Sequence, residues 1–225
     1  MRPKAEEERA PPLVVLLPFR NAAAHLRPAV ASVLSQTFPH FRLLLLDDGS
    51  TDDGLRTVED LAEGDPRVRV LRNAEHRGLV SALNAGLAAA APSPLAARMD
   101  ADDLAHPDRL RRQVEYLEHN PDVSVVGAGV TLFGGDEPPD GAAAAPALAA
   151  AVPTKVVCHP TDPGLLAWEL LFSCRLAHPT VVFRRAHVLA AGGYRGGAVR
   201  RAEDYDLWLR LALAPLHRGW SGRRE

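Results

Sequence analysis

"LLLLDDGSTDD", residues 43–53, places four leucines directly before a run of acidic and turn-forming residues. An uninterrupted apolar run is typical of a strand that is buried on both faces of a parallel sheet. "LVVLL" at 13–17 has the same character, and "VRVL" at 68–71 predicts a third strand. Apolar residues at helical spacing follow these runs, at 26–34, 55–61 and 79–91. Strands that alternate with helices predict an α/β fold with a parallel sheet.

The ends of the chain and one internal segment differ in composition from the rest. Residues 1–12, "MRPKAEEERAPP", are charged and proline-rich, which predicts a disordered leader. Residues 133–153 are rich in Ala, Gly and Pro, which predicts a low-complexity loop. A single domain is expected over 13–214, followed by a short basic tail at 215–225 that ends early enough to suggest a truncation.

Composition narrows the class of protein. The 225 residues carry a net charge of −2 and are 47% hydrophobic, which is typical of a soluble globular protein and argues against broad nucleic-acid binding. The two cysteines form neither a CxxC pair nor a zinc-type cluster, and they are expected to be small buried side chains in a reducing compartment. We therefore expect a cytoplasmic protein with at most peripheral membrane contact.

Acidic side chains follow two of the predicted strands. Asp47 and Asp48 come after residues 43–46, and "RMDADD" at 98–103 follows a strand predicted at 95–99. Because carboxyl ends of parallel strands meet at one edge of a sheet, both clusters should line the same edge. The alternative is that these acids cap helices, as Asn21 is expected to do for the first helix.

Residues two apart on extended backbone point to the same side, so Asp100 and Asp102 should converge. Carboxylate oxygens are the ligands that Mg²⁺ and Mn²⁺ prefer, and phosphate oxygens can complete their coordination. Asp103 should point away and start the next helix. A third acidic motif, "RAEDYDLWLRL" at 201–211, places Asp204 at a helix start, where an acid serves as a general base or complements the helix dipole.

In order and spacing, these motifs resemble the family 2 glycosyltransferases of the GT-A fold from about Leu13 to Leu213. The resemblance rests on "VVLLPFRNAAAHLRPAVASVLSQTF", "LLLLDDGSTDD", "NAEHRGLVSALNAGL", "MDADDLAHPDRLRRQVEYL", "HPTVVFRR" and "GGYRGGAVRRAEDYDLWLRL". It implies a Rossmann-like fold with a mostly parallel sheet and helices on both faces. It also implies a nucleotide-diphospho-sugar donor, UDP- or GDP-linked, a divalent cation (Mn²⁺ or Mg²⁺) and inversion at the anomeric carbon. The acceptor would be a glycan, a lipid or another hydroxyl compound.

The resemblance implies a nucleotide-binding half at about 13–132. In it, Pro18 would lie at the nucleotide pocket, Asp48 would accept a hydrogen bond from the base with Asp47 in support, and Arg77 would donate to the diphosphate or the base. Arg20 stands where the family usually has an aromatic residue, so base stacking is not expected there.

For the reaction, the resemblance implies that Asp100 lies near the sugar or ribose and shares the metal with Asp102. Asp204, in the half at about 154–214, would be the catalytic base. The chain stops soon after its last predicted helix, whereas related enzymes continue, and this places activity more than fold in question.

Three other functions are open from the sequence. A nucleotide-sugar-binding protein without transferase activity would share the same carboxylates. A sugar nucleotidyltransferase would also use paired aspartates, but it would want a glycine-rich basic loop that "PFRNAAAH" lacks. A nicotinamide dinucleotide binder is suggested only by "GAG" at 127–129, which does not follow the first strand.

Overall fold

The computed structural model describes residues 11–133, 153–196 and 202–213. Residues 1–10 of the predicted leader, 134–152 of the low-complexity loop, and the basic tail lie outside the described residues. The strands are β1 (Leu13–Phe19), β2 (Phe41–Asp48), β3 (Val68–Asn73), β4 (Leu95–Arg98), β5 (Val125–Val126), β6 (Val130–Phe133), β7 (Pro153–Val157) and β8 (Val182–Arg184). The helices are α1 (Ala23–Leu34), α2 (Gly54–Gly64), α3 (Leu79–Ala89), α4 (Arg109–His119), α5 (Pro163–Leu170), α6 (Arg185–Ala190) and α7 (Glu203–Leu213).

Six strands form the central sheet in the order β3-β2-β1-β4-β8-β5. Strands β3, β2, β1 and β4 are mutually parallel, whereas β8 runs antiparallel to both of its neighbours. Strands β6 and β7 pair separately as an antiparallel ribbon. The mostly parallel α/β sheet predicted from the sequence is therefore confirmed.

The apolar run of β1 is continuous because both faces of the sheet are covered. Leu13, Val15 and Leu17 point into one core with α1, α2 and α4, whereas Val14 and Leu16 point into the other with α3, α6 and α7. This is the alternation that a strand imposes on successive side chains. A polar side chain at any of these five positions would be buried without a hydrogen-bond partner. The sequence has an apolar residue at each of them.

Trp208 anchors α7 against the second face of the sheet. Trp208 is 1% exposed and belongs to the same core cluster as Leu207 and Leu211, with the His178 ring 6.0 Å from its own ring between centroids. Burial of this one aromatic side chain stabilises the fold by roughly 3 kcal/mol. It also fixes the direction of α7, so that the acidic first turn of that helix is held in place relative to the sheet.

Candidate active site

The strand order reverses beside β1, which gives the sheet a crevice at its carboxyl edge. β2 lies on one side of β1 and β4 on the other, although β2 and β4 are separated by β3 in the chain. In open α/β sheets such a switch point is where ligands bind. Pro18 lies at this end of β1, paired with Leu46 of β2, and is buried. β1 continues through Pro18 to Phe19, two residues past the apolar run at 13–17 that the sequence predicted as a strand.

Asp48 ends β2 and is held entirely by protein donors. Its Oδ1 accepts from Asn73 Nδ2 at 3.0 Å and from the Arg77 N–H at 2.9 Å. Its Oδ2 accepts from the Gly78 N–H at 2.8 Å and lies 2.7 Å from His76 Nδ1. Burial alone would raise the pKa of this carboxyl, but these four hydrogen bonds outweigh burial and lower it.

Asp47 is buried beside Asp48 but has a different set of contacts. Its Oδ1 accepts from the Ser50 N–H at 2.9 Å, whereas Oδ2 has no hydrogen-bond partner among the described residues. The nearest cation to Oδ2 is the exposed Arg72, with Nε at 3.6 Å. Asp47 thus stabilises the turn after β2 with one carboxylate oxygen, and its other oxygen stays available as a buried acceptor.

The loop at 73–78 brings Arg77 to the crevice. Its backbone N–H is fixed by Asp48, and its side chain is exposed. His76 is also exposed, with 52% of its side chain accessible, although its ring contacts Asp48. Of the four groups that contact Asp48, the exposed His76 ring is the one that a ligand N–H would replace with the smallest loss of buried contacts.

Gly49 lets the turn after β2 pack directly against this loop. Its φ is +73°, and a Cβ built on it would lie 2.7 Å from the backbone nitrogen of His76. Both the positive φ and the backbone contact exclude larger side chains.

We expect Gly49→Ala to lower the free energy of unfolding by about 2 kcal/mol or more, because the added methyl forces the two loops apart. Urea denaturation measures this directly. Gly192→Ala is the control, since Gly192 has φ +89° but a Cβ built on it would meet only the flexible end of the Arg195 side chain, at 3.5 Å. Equal losses for the two variants would show that backbone strain alone, and not loop packing, is the cause.

Asn21 does not cap α1, contrary to the expectation from sequence. It has φ +53°, and its Oδ1 accepts from the Thr51 N–H at 2.8 Å. The first turn of α1 is satisfied instead by Asp52, whose Oδ2 accepts from the Ala23 N–H at 2.9 Å. The loops after β1 and β2 are therefore tied to each other, which local sequence signals cannot reveal.

The second acidic cluster follows β4 and contains a buried cation. Asp100 forms an ion pair with Nη1 of Arg98, and 34% of its side chain is exposed. Asp102 is exposed. Asp103 does not start the next helix, as the sequence suggested, because α4 begins at Arg109 after Asp108. Burial, together with the charges of Asp100 and Asp102, raises the pKa of Asp103 to about 6. Three carboxylates thus share one region of negative charge.

Arg109, at the start of α4, supports the backbone under this cluster. Its Nη2 donates to the carbonyl oxygen of Arg98 at 2.7 Å, and its Nη1 contacts Met99 Sδ at 3.3 Å. The guanidinium of Arg109 therefore fixes the backbone at the end of β4.

Asp204 lies in the first turn of α7, half-buried and accessible. Its Oδ1 accepts from the N–H of Tyr205 at 2.8 Å, and Cys174 Sγ lies 3.9 Å from Oδ2. Both cysteines are exposed, so the expectation that they are buried side chains was wrong. Although Cys174 is exposed, the protein atoms around its sulfur partly desolvate the thiol, and this desolvation, together with the charge of Asp204, raises its pKa.

Two buried aromatic residues form a contacting pair beside α7. His178 Nε2 lies 3.0 Å from Tyr194 Oη, and the His178 ring lies 6.0 Å from the Trp208 ring between centroids. Burial, with a smaller contribution from the charge of Arg98, lowers the pKa of His178 to about 2. Burial raises the pKa of Tyr194.

Asp100 and Asp102 are the residues after β4 that could hold a divalent cation. Among the described residues, no group of three or more His, Cys, Asp or Glu side chains is arranged to hold a metal ion by itself. Burial is the largest cause of the raised pKa of Asp103, and the charges of Asp100 and Asp102 add to it, so the three acidic side chains lie near one another. Two carboxylates that leave the other coordination positions to water and phosphate oxygens are a common Mg²⁺ arrangement.

Comparison with known proteins places the chain in a family. Residues 14–141 match the model of Glycosyl transferase family 2, and the chain belongs to that family. The protein EpsE of Bacillus subtilis (strain 168), by its name a glycosyltransferase, is 34% identical over 203 residues, which cover 89% of this chain and 66% of EpsE.

Two solved structures share the GT-A fold with this chain. Mannosyltransferase PcManGT from Pyrobaculum calidifontis, solved with GDP-Man and Mn²⁺, superposes with a TM-score of 0.63 at 20% identity over 91% of this chain and 52% of its own. Staphylococcus aureus TarS 1–349 with UDP-GlcNAc gives 0.63 at 19% identity over 89% and 53%. The chain thus spans about two thirds of EpsE and about half of each solved structure.

The structure brings the sequence-predicted residues to one edge of the sheet. Pro18, Asp47 and Asp48 lie at the ends of β1 and β2, and Asp100 and Asp102 lie just after β4. The sequence did not reveal that Asn73 and His76 bind Asp48, because no local pattern distinguishes these two residues.

Proposed function

We propose that this chain is an inverting glycosyltransferase that moves a sugar from a nucleotide-diphospho-sugar to an acceptor hydroxyl. The observation that supports it most is the match to Glycosyl transferase family 2, in a chain whose acidic residues follow β2 and β4 at one edge of the sheet. A base and a cluster of metal-binding carboxylates on either side of a sugar are what such a displacement needs.

Asp204 is the proposed general base. It takes the proton from the acceptor hydroxyl while the acceptor oxygen bonds to C1 of the sugar and the bond from C1 to the diphosphate oxygen breaks. Among described residues, its Oδ2 has no closer polar contact than the Cys174 thiol, so this oxygen can receive a proton. Attack on the face opposite the leaving group inverts the anomeric centre.

Asp102 and Asp100 are the proposed metal-binding residues, with Mn²⁺ or Mg²⁺ as the cation. Such a cation supplies electrostatic stabilisation of the nucleoside diphosphate as it leaves. The cation in the PcManGT complex is Mn²⁺, which supports the choice of metal. Arg109 keeps the two carboxylates in place through the backbone of Arg98.

Asp48, Asp47, Pro18 and Arg77 form the proposed nucleotide pocket. An N–H of the base would displace the exposed His76 ring from Asp48 Oδ2, leaving the three other hydrogen bonds intact. The exposed Arg77 side chain would then contact the diphosphate or the base. GDP-Man and UDP-GlcNAc are bound by the two solved structures, so donors linked to either nucleotide are candidates.

Donor binding should depend on metal and on Asp102. We expect calorimetry with a panel of UDP- and GDP-sugars to show binding with Mn²⁺ that weakens about tenfold or more with EDTA, because a charge-assisted contact to phosphate is lost. Asp102→Ala should show the weaker binding even with Mn²⁺ present.

Asp122→Ala is the control, because Asp122 is exposed at the end of α4 and outside the crevice. It should bind the donor as the wild type does. Donor binding that is unchanged by EDTA and by Asp102→Ala would contradict the metal assignment. Failure of every panel member to bind the wild type would contradict a UDP- or GDP-sugar donor.

The second candidate is a nucleotide-sugar-binding protein without transferase activity. It shares the donor site and differs only in forming no product.

Among the described residues, no helix is long and apolar enough to cross a bilayer. We propose a cytoplasmic location, as the composition of the sequence suggested.

A further inference from the structure

The acidic loop, residues 100–104 after β4, is anchored to the protein at its two ends. Before it, the N–H of Met99 donates to the carbonyl oxygen of Leu16 at 3.0 Å. After it, the N–H of Ala105 donates to Ser32 Oγ at 3.0 Å. Between these two anchors, residues 100–104 make no backbone hydrogen bond within the described part of the chain. The position of the loop therefore depends on where its two ends are held.

Gln36, which follows the last turn of α1, holds the far end of the acidic loop. Its Nε2 donates to the carbonyl oxygen of His106 at 2.8 Å, and its Oε1 accepts from the Leu110 N–H at 2.9 Å. Nε2 also lies 3.2 Å from the carbonyl oxygen of Ser32, so one amide joins α1 to the segment 106–110. Gln36 is only 6% exposed, and without it the buried Leu110 N–H would lack an acceptor, which is costly.

The start of α4 depends on the same segment and not on a cap of its own. Asp108 is the residue before α4, but its side chain makes no capping hydrogen bond. Asp108 Oδ1 instead accepts from Thr37 Oγ1 at 2.9 Å, and the Thr37 N–H donates to the carbonyl oxygen of Pro107 at 2.9 Å. The whole stretch 105–108 is therefore hydrogen-bonded to Ser32, Gln36 and Thr37, about seventy residues earlier in the chain.

We propose that Gln36 is a positioning residue for the cation site. By holding the far end of the acidic loop, it keeps Asp100 and Asp102 at the spacing that one divalent cation requires. This proposal rests on the proposed function and adds to it a residue that binds neither the nucleotide nor the cation. Groups that fix metal-binding side chains in this way commonly change metal affinity about 10–100-fold when they are removed.

The test is calorimetry of UDP and GDP, each titrated into the protein with Mn²⁺ and with EDTA. For a nucleotide that binds the wild type, the ratio of the two affinities measures the contribution of the cation. For Gln36→Met, which keeps an unbranched side chain of similar size, we expect this ratio to fall about tenfold. Affinity in EDTA should stay within about twofold of the wild type, because the hydrogen bonds of Gln36 reach only Ser32 and the segment 106–110.

Arg184→Met is the control for this experiment. It also removes hydrogen bonds from a side chain to backbone, in this case to the carbonyl oxygens of Val123, Leu117 and Asn120, which lie outside the acidic loop. Its ratio should equal that of the wild type.

Thr37→Val carries the test if Gln36→Met fails to fold. Thr37 is exposed, and the change removes only the hydrogen bonds of its hydroxyl to Asp108 and to the carbonyl oxygen of Pro107. We expect the ratio to fall about threefold, in keeping with the loss of one good hydrogen bond. Circular dichroism and thermal melting confirm that each variant is folded.

Each outcome either supports or overturns the proposal. A folded Gln36→Met with the wild-type ratio would give Gln36 a purely structural role and overturn it. Equal losses of affinity with Mn²⁺ and with EDTA would also overturn it, because the nucleotide pocket and not the cation site would then depend on Gln36. A wild type that binds neither nucleotide, or binds one equally well with Mn²⁺ and with EDTA, would overturn the proposed function and this proposal together, and the wild type alone reveals that result.

Discussion

Asp204→Asn is expected to reduce sugar transfer about a thousandfold, within the range for loss of a general base, while donor affinity stays unchanged. Asparagine keeps the shape of the side chain and an oxygen that can accept from the Tyr205 N–H, so α7 should fold as before. It cannot take a proton from an acceptor hydroxyl. The effect should therefore appear in kcat, measured as release of nucleoside diphosphate, and not in calorimetric binding of the donor.

Glu203→Gln is the control for this prediction. Glu203 is in the same first turn of α7 and also acts on Tyr194, so it shares the electrostatic surroundings of Asp204. It should retain transfer within about tenfold of the wild type, since changes to surface charge near a helix start have modest effects. A large loss for Glu203→Gln with none for Asp204→Asn would move the base to Glu203.

Asp48→Asn is expected to lower the free energy of unfolding by about 3 kcal/mol at pH 7. The Asn side chain keeps one acceptor oxygen, but its amide nitrogen would face the Gly78 N–H, which lies 2.8 Å from Oδ2 in the native protein. The loop at 73–78 would then lose part of its anchor, and nucleotide affinity should fall with it. Urea denaturation followed by circular dichroism measures the stability loss.

The effect should also depend on pH, because the pKa of Asp48 is lower in the folded chain than its ordinary value of 3.8. A carboxyl with a depressed folded pKa contributes stability that is present above the unfolded pKa and is lost as pH falls through the folded pKa. The difference between wild type and Asp48→Asn should thus be full at pH 6 and shrink below about pH 4.

Asp47→Asn is the matched control, since it retains an oxygen that accepts from the Ser50 N–H. It should change stability by no more than about 1 kcal/mol. Equal destabilisation by Asp47→Asn and Asp48→Asn would show that the loss of stability comes from removing any buried charge at this position. The four hydrogen bonds to Asp48 would then not be its cause.

The architecture was predictable because its signals are local and repeated. β1 and β2 are continuous apolar runs, and both were expected from sequence to be buried on two faces, as they are. The position of the acidic clusters followed from the parallel sheet, since carboxyl ends of parallel strands share an edge. The family resemblance added roles to Asp100, Asp102 and Asp204 that spacing alone could not assign.

The features of the site that could not be predicted from the sequence depend on contacts between segments that are distant in the chain. Asp48 is satisfied by a loop about thirty residues away, and Asp52 caps a helix that precedes it. The environment of Asp103 is set by burial and by its two neighbours, not by its position before α4. A prediction from local patterns assigns such acids to helix caps or to open solvent, because it has no access to tertiary contacts.

Arg98 is another residue whose surroundings could not be predicted from the local sequence pattern. In the sequence it is one charged residue at the end of an apolar strand, whereas in the structure it is a buried charge paired with Asp100. A buried charge of this kind runs against the local strand pattern, and such conflicts are expected mainly at functional sites.

The most direct test of the proposed transfer is time-resolved NMR of a bound nucleotide-sugar incubated with the wild-type chain, Mn²⁺ and a panel of simple hydroxyl acceptors. We predict that nucleoside diphosphate and a glycosylated or hydrolysed sugar form together, and that the sugar first appears with the anomeric configuration opposite to that of the donor. A donor that binds but stays intact, or a product that keeps the donor's configuration, would contradict the account.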